Sequence, residues 1–246
     1  MNKKALIISI IAVVLSFVGG FILANALNRN EINNLQAELG RAKTNQPNES
    51  ENNETTLSED EIRQKIAEAD QNPQNIEFQK NLAIGLYRYA NMKQESKWLP
   101  DIARILSRVV ENNPKDFNAV ASLANIYFDI ANEKQDNETF KRSRELYKKA
   151  LDVKPNDVET QTDLGLTYLM EKPANEKNAI TAFEKSLKIE PKHEKTLQNM
   201  IQAQIGIGNP AAAEQFLNQL KEVNPNNSAA FELTSQLAEK KNNIKK

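Results

Sequence analysis

The sequence contains no cysteine and a single histidine, His193. The absence of cysteine excludes disulfide bonds, thiol catalysis, iron–sulfur clusters and thiolate zinc sites. A lone imidazole in a chain without cysteine does not suggest a metal site, and we expect His193 to be an ordinary surface residue. A Ser–His–Asp triad would have to use this same exposed residue. We therefore predict neither a metal nor a catalytic centre.

The chain also lacks an excess of basic charge and the glycine-rich motifs of nucleotide-binding sites. Its 32 Lys and Arg balance 33 Asp and Glu, for a net charge of −1, whereas nucleic-acid binders carry a basic surface. Only 7 glycines are present, and neither GxxxxGK[ST] nor GxGxxG occurs. We therefore expect no nucleic acid, small-molecule substrate or cofactor, and we predict that the protein is not an enzyme.

Residues 5–27 form an uncharged, mostly apolar run behind the basic stretch 1–4. At about 1.5 Å per residue, a helix of this length can cross a hydrocarbon core of roughly 30 Å. The lysines at 3 and 4 place the N-terminus in the cytoplasm. We predict a cytoplasmic stub at 1–4 and a transmembrane signal anchor at 5–27, with the rest of the chain on the other side. Cleavage after Ala26, in a small-x-small pattern, remains the alternative.

A linker at 28–56 follows the predicted span. Ile32, Leu35 and Leu39 form one narrow apolar seam, which predicts a short helix. A short coiled coil between two copies is the alternative. Residues 44–56 are polar and acidic, so this stretch cannot bury a core and should be disordered.

Five prolines divide the remaining sequence into repeats. They are Pro73, Pro114, Pro155, Pro191 and Pro225, at intervals of 41, 41, 36 and 34 residues. Because proline cannot continue a helix interior, each marks a boundary. Between the boundaries, apolar residues recur at helical spacing, and a small residue (Ala83, Ala124 or Gly165) stands where the two helices of a hairpin should come closest.

We predict about four helical hairpins with flanking helices over 57–242, followed by a basic tail at 243–246. A capping box of Ser58 and Glu61 should open the first flanking helix. The first two repeats carry about seven extra residues each. One extra turn in each helix, or a longer connecting turn, would accommodate them.

The stretch 155–191 resembles the tetratricopeptide repeat (TPR), a 34-residue helix–turn–helix unit, through Leu164, Gly165 and Tyr168 and then Ala179, Phe183 and Ser186. The resemblance implies an all-α, right-handed TPR hairpin solenoid, which follows the single N-terminal transmembrane helix predicted above. It also implies a concave groove lined by the first helix of each hairpin. The partner expected for such a scaffold is another protein or a peptide.

In this family, groove positions fall four, seven, eleven and fifteen residues after the boundary proline. The candidate groove residues implied here are Lys80, Ile84 and Arg88; Asn118, Asn125 and Asp129; Glu159, Thr162 and Leu166; and Gln198 and Gln202. An asparagine can hydrogen-bond a peptide backbone, and a basic side chain can pair with a carboxylate. Ile84 stands where chaperone-binding members have an asparagine, so their carboxylate clamp is absent.

A single N-terminal span followed by repeats is similar to the periplasmic TPR subunits of cytochrome c biogenesis. The residues that carry this narrower resemblance are 163–165, 192–193 and 196–199. It implies a single-pass protein of the bacterial inner membrane with periplasmic repeats, acting as an adaptor for an envelope protein. The alternative is a structural protein that self-associates through the span and the Ile32–Leu39 seam without binding a peptide.

Overall fold

The computed structural model describes residues 57–244, which form ten α-helices and one 3₁₀ helix and contain no strand. The predicted stub, span and linker, and residues 245–246, lie outside the described residues. No helix within 57–244 is both long and apolar enough to cross a membrane. The helices are α1 (Glu59–Gln71), α2 (Ile76–Lys93), the 3₁₀ helix (Ser96–Trp98), α3 (Leu99–Asn112), α4 (Phe117–Lys134), α5 (Asn137–Val153), α6 (Val158–Met170), α7 (Glu176–Ile189), α8 (Glu194–Gly206), α9 (Pro210–Val223) and α10 (Ala230–Ile244).

The helix boundaries follow from the sequence. All five boundary prolines lie in the turns between helices, as predicted. Asparagine or aspartate caps the N-terminus of most helices: Asn75, Asp116, Asp136, Asp157, Asn175 and Asn209 each accept a backbone N–H of the first turn. Such caps satisfy donors that the helix cannot pair internally.

The chain contacts divide into two units at Ile102 and Ala103, within α3. In the N-terminal unit, α1 packs on α2. Its predicted capping box is confirmed, because Ser58 Oγ accepts the Glu61 N–H at 3.3 Å and the Glu61 carboxylate accepts the Ser58 N–H at 2.7 Å. The buried Gln79 amide donates to the Ala69 carbonyl at 3.1 Å, which fixes the end of α1 against α2.

Trp98 anchors the other end of the N-terminal unit. Its ring is buried, and its Nε1 donates to the Glu95 carboxylate at 2.9 Å. The cations of Arg63 and Lys97 lie 5.4 and 5.1 Å from the ring centroid, and Lys97 also pairs with Glu59 of α1. These contacts tie α1 to the 3₁₀ helix.

The C-terminal unit is a regular stack of hairpins: α4 with α5, α6 with α7, and α8 with α9, followed by α10. Each first helix also contacts the next first helix, α4 to α6, α6 to α8 and α8 to α10. Each second helix contacts the first helix that follows it. A hairpin in this unit therefore buries its apolar sides against its neighbours, which is how a repeat too small for a core of its own becomes stable.

The extra residues of the second repeat lengthen both of its helices. α4 has 18 residues and α5 has 17, against 13 in α6 and 14 in α7. The second repeat therefore accommodates its extra residues by an extra turn in each helix, and not by a longer connecting turn. Gln135 caps the C-terminus of the longer α4 in a left-handed conformation with φ of 53°.

The two helices of the third repeat meet at Gly165. A Cβ built on this glycine would lie 2.3 Å from Cε1 of Phe183 on α7. In the preceding hairpin the small residue Ala124 has a similar role, because the Ser143 hydroxyl donates to its carbonyl at 2.8 Å. The predicted close approach at these two small residues is confirmed.

We expect Gly165→Ala to destabilise the protein by roughly 1–3 kcal/mol, because the added methyl group must displace the Phe183 ring. The gain in helix propensity, about 1 kcal/mol at most, offsets only part of this cost. Urea unfolding monitored by circular dichroism measures the difference.

Gly206→Ala is the matched control, because its Cβ would meet only the flexible side chain of Glu176, at 3.1 Å. Equal stability of the two variants would contradict the assignment of Gly165 to a contact that admits no side chain.

Candidate functional site

The groove positions of the N-terminal unit differ in accessibility. Lys80 and Arg88 are half-buried on α2, whereas Ile84 is only 8% exposed. Ile84 therefore contributes to packing, and of the three predicted residues only the two basic side chains are accessible.

On α4, the first helix of the next hairpin, all three predicted residues can be reached from solvent. Asn118 is exposed, and Asn125 and Asp129 are half-buried. The hydroxyl of Tyr147, a buried residue of α5, donates to Asn125 Oδ1 at 2.7 Å. This bond orients the amide and leaves its NH₂ group as the donor for a ligand.

On α6, Thr162 and Leu166 are not available to a ligand, contrary to the expectation from repeat spacing. Thr162 is fully buried and Leu166 is 5% exposed. The Thr162 hydroxyl lies 2.8 Å from Ser186 Oγ and 2.6 Å from Thr196 Oγ1. Repeat spacing predicts on which side of α6 the Thr162 side chain lies. Because α8 packs closely on that side of α6, the side chain lies in the interface between the two helices. Thr162 instead joins α6, α7 and α8 beneath the groove.

An ion cluster lies beside these hydroxyls at the junction of α6 and α8. The Lys195 ammonium donates to Glu159 at 3.2 Å and to Asp163 at 2.7 Å. His193 Nε2 lies 2.9 Å from Glu159. The four side chains are between 12% and 20% exposed, so the cluster is largely buried but open to solvent at its edge.

The expectation that His193 lies at the surface is wrong. Its side chain is 12% exposed and uses both ring nitrogens, Nε2 toward Glu159 and Nδ1 toward Thr196 Oγ1 at 2.7 Å. An ionised carboxylate can only accept, so Nε2 carries the proton shared with Glu159. The imidazole thus links the ion cluster to the buried hydroxyls.

A signal for this cluster was present in the sequence. Glu159 and Lys195 both stand four residues after a boundary proline, so the repeat register places opposite charges at equivalent positions of neighbouring first helices. The groove pattern of each single helix does not reveal this pairing between Glu159 and Lys195, because the two residues lie on different helices.

The environment of the cluster shifts three pKa values. Burial alone would raise the pKa of Glu159, but the His193 hydrogen bond and the Lys195 charge outweigh it and lower the pKa to about 2. Burial raises the pKa of Asp163, and the charge of Lys195 offsets this only in part. Burial would lower the pKa of Lys195, but the charges of Asp163 and Glu159 outweigh it and raise the pKa.

The lowered pKa of Glu159 predicts an acid-dependent loss of stability. A carboxyl whose pKa is about 2 when folded and near 4.5 when unfolded stabilises the fold above pH 4.5, and this contribution disappears as the pH falls toward 2. The raised pKa of Asp163 acts in the opposite direction, so only a difference between variants isolates Glu159. We expect Glu159→Gln to be less stable than the wild type near neutral pH, and the difference to shrink between pH 4.5 and 2.

Thermal unfolding at a series of pH values measures this difference, with Glu184→Gln, an exposed position on α7, as the control. A wild-type advantage over Glu159→Gln that stays constant down to pH 2 would show that the carboxylate is not stabilised by its partners.

The two glutamines of α8 complete the predicted set. Both are half-buried, and Gln198 donates to Asn227 Oδ1 at 3.1 Å in the turn before α10. Asn224 and Asn227 in the same turn donate to Glu194 at 2.9 and 2.8 Å. Gln198 therefore helps to fix the last turn, whereas Gln202 lies further along the same face of α8.

Within 57–244, no group of three His, Asp or Glu side chains is placed to hold a metal ion. A depression of about 480 Å³ lies at the loop edge of the C-terminal unit rather than on the groove face. It is lined by Asn137, Glu171, Pro173, Ala174, Asn175, Glu176, Lys177 and Ile207.

Comparison with known proteins supports the repeat assignment. Two family models, each described as tetratricopeptide repeat, match residues 124–157 and 174–237. No curated protein sequence matches the chain. Residues 124–157 and 174–237 therefore match tetratricopeptide repeats, and residues 57–244 have an all-helical, TPR solenoid-like fold.

Several solved structures share this fold. MamA 41-end from Desulfovibrio magneticus RS-1 is 15% identical with a TM-score of 0.57, over 82% of this chain and 99% of that one. A thermophilic TPR protein of Thermus thermophilus is 15% identical with a TM-score of 0.52, over 73% and 88%. PilF of Pseudomonas aeruginosa is 17% identical with a TM-score of 0.52, over 69% and 72%. At these identities the likeness shows the fold alone.

Proposed function

We propose that this protein is a membrane-anchored adaptor of the bacterial envelope that holds a peptide or helix of another protein along the first helices of its repeats. The observation that carries the proposal is the orientation of Asn125 by the Tyr147 hydroxyl, at 2.7 Å. A buried tyrosine that fixes a groove-facing amide presents donors at a defined place, as recognition of a peptide carbonyl requires. Asn118 and Asp129 extend the same surface along α4.

The membrane anchor and the periplasmic location belong to this proposal and rest on the sequence of residues 1–27. The uncharged run at 5–27, with lysines before it, supports a single span that leaves the repeats on the periplasmic side. The acidic, polar stretch 44–56 would let the repeats reach a partner at some distance from the bilayer.

We expect Asn125→Ala to weaken partner capture about three- to tenfold, the usual worth of a lost hydrogen bond, and to leave helicity unchanged. Tyr147→Phe removes only the orienting hydroxyl and should give a smaller loss. Pull-down from solubilised membranes, quantified for the partner identified with the wild type, measures both effects.

Gln219→Ala, at an exposed position of α9 on a second helix, is the control. Capture that is equally strong with Asn125→Ala and Gln219→Ala would contradict the groove assignment.

A narrower version places the adaptor in cytochrome c biogenesis, and only the sequence resemblance of residues 163–165, 192–193 and 196–199 supports it. A deletion strain should then show reduced levels of c-type cytochromes, measured by haem staining. Normal levels would exclude this role while leaving the adaptor function intact.

Self-association is the second candidate function, and one residue of α10 favours it. Six residues after its boundary proline, α8 carries Leu197, which is fully buried. The equivalent residue of α10 is Phe231, which is 84% exposed. Aromatic residues are enriched in the cores of protein interfaces, so a ring on a face that is buried elsewhere in the stack suits contact with a second copy.

We expect Phe231→Ser to shift the protein toward monomer in sedimentation velocity if this contact forms, because it removes the apolar contact area. Thr234→Ser, on the same helix, is the conservative control. A wild type that remains monomeric at all concentrations would exclude self-association.

A further inference from the structure

The buried hydroxyls between α6, α7 and α8 form a hydrogen-bond chain that begins at the histidine ring. His193 Nδ1 lies 2.7 Å from Thr196 Oγ1, which lies 2.8 Å from Ser186 Oγ. Ser186 Oγ lies 2.8 Å from Thr162 Oγ1, and Thr162 Oγ1 lies 2.8 Å from the carbonyl oxygen of Val158. Each hydroxyl has one proton to donate, whereas the carbonyl can only accept. The chain therefore has a direction, and the protonation of Nδ1 sets it.

With a neutral imidazole, the chain runs toward the ring. Nε2 carries the proton donated to Glu159, so Nδ1 is an acceptor and the Thr196 hydroxyl donates to it. The Ser186 hydroxyl then donates to Thr196, and the Thr162 hydroxyl donates to the main chain. Every proton in this arrangement has an acceptor.

With a charged imidazole, the chain runs away from the ring. Both ring nitrogens are then donors, so Nδ1 donates to Thr196. The Thr196 hydroxyl turns to Ser186, and the Ser186 hydroxyl turns to Thr162. Thr162 keeps its bond to the Val158 carbonyl. Only two hydroxyl protons reorient and neither loses an acceptor, so the same positions of the heavy atoms suit both charge states of the ring.

Charged groups on two helices act on the imidazole. The Glu159 carboxylate on α6, 2.9 Å from Nε2, favours proton uptake. The Lys195 ammonium, held by Glu159 and Asp163, opposes it, as does the N-terminus of α8, which begins directly after the ring. From α7, the neutral Ser186 hydroxyl reaches the chain. The other charged side chains of these segments are Asp157 as the α6 cap, Glu194 in the turn before α10, and Glu184, Lys185, Lys188, Glu190 and Lys192 at the surface.

The proton can come from solvent at the edge of the ion cluster. The His193 side chain is 12% exposed, and imidazole groups in general change their charge between about pH 5 and 8. In the ion cluster, two carboxylates face one ammonium group. Proton uptake by the imidazole therefore removes the excess negative charge at this edge of the groove.

We propose that His193 is a proton-dependent switch at the junction of α6, α7 and α8. Proton uptake at Nδ1 reverses the hydrogen bonds of Thr196 and Ser186 and changes the charge at the edge of the groove, while the three helices keep their positions. Mild acidification thereby alters the charge that a ligand meets without changing the shape of the surface. This inference does not depend on the groove binding a particular partner.

The first test is NMR spectroscopy of the full-length protein in detergent micelles, labelled with ¹⁵N-histidine and prepared without a histidine tag. Because the chain has a single histidine, every imidazole signal belongs to His193. Above about pH 8 we expect a protonated Nε2 and an unprotonated Nδ1, and at the acidic end of the titration two protonated nitrogens. The opposite neutral tautomer, with its proton on Nδ1, would overturn the inference.

Removing the acceptors of the Thr196 hydroxyl tests the reversal. Ser186→Ala leaves Thr162, and Thr162→Val leaves Ser186, at 2.6 and 2.8 Å from Thr196 Oγ1. Either single variant should therefore move the midpoint of the imidazole titration little. The double variant leaves the Thr196 proton without an acceptor when the ring is charged. Because this disfavours the charged ring, we expect the midpoint to fall by about 0.5–1 pH unit, the equivalent of one net hydrogen bond.

Thr181→Val is the matched control, because the Thr181 hydroxyl donates to the Lys177 carbonyl of its own helix, at 2.9 Å, and lies outside the chain. A midpoint of the double variant no lower than that of Thr181→Val would refute the reversal. Thr196→Ser keeps the hydroxyl and should titrate like the wild type. If Thr196→Ser shifts the midpoint as far as the double variant does, packing rather than the hydroxyl chain determines it, and the inference fails.

Amide hydrogen exchange of the same protein tests whether the helices keep their positions. Protection of the α7 and α8 amides, corrected for intrinsic exchange rates, should be equal on the two sides of the titration midpoint. A loss of protection on the acidic side, confined to α6, α7 and α8, would show that proton uptake opens the junction and would overturn the proposal.

Discussion

The fold of the C-terminal unit depends on close contact between helices that could not stand alone. At Gly165 the backbone of α6 meets the ring of Phe183 with no room for a side chain, and at Ala124 a serine of the partner helix reaches the backbone carbonyl. Each hairpin leaves partly apolar sides, which are covered by the neighbouring hairpins. The order of contacts, first helix to first helix and second helix to the next first, follows from that requirement.

Polar groups take part in the same stacking. Where α6, α7 and α8 meet, Thr162, Ser186 and Thr196 place three hydroxyls within 2.6–2.8 Å of one another, and His193 links them to the charges of Glu159 and Lys195. Buried groups of this kind must find partners or pay for their desolvation, so the network favours one alignment of these helices over others. The network therefore also fixes the positions of the charged side chains on the groove surface above it.

The sequence predicted the structure best where a feature depends on local residues alone. The prolines predicted the turns, the capping box predicted the start of α1, and the small residues predicted the helix contacts. It was less informative where the accessibility of a side chain depends on the packing of two helices. Thr162 has the spacing of a groove residue, but its accessibility depends on how closely α8 packs, which no pattern within α6 reveals. The position of His193 in the first turn of its repeat indicates an exposed residue, but its partner Glu159 lies 34 residues away in the sequence. The choice between longer helices and a longer turn in the second repeat also depended on neighbouring contacts, which sequence spacing does not contain.

The unequal helix lengths have a consequence for the outline of the C-terminal unit. α4 and α6 both begin three residues after their prolines, and α5 and α7 both end two residues before the next, so the additional residues all lie at the opposite ends of these helices. The α4–α5 hairpin therefore overhangs its neighbour by about one helical turn, roughly 5 Å. Asn137, at the overhanging tip, exchanges two hydrogen bonds with the backbone of Lys172 and holds the shorter loop beneath it. The edge of the unit at the α4–α5 turn is therefore uneven, whereas the opposite edge is level. A rigid partner that packs against the uneven edge would fit in one position rather than in several equivalent ones.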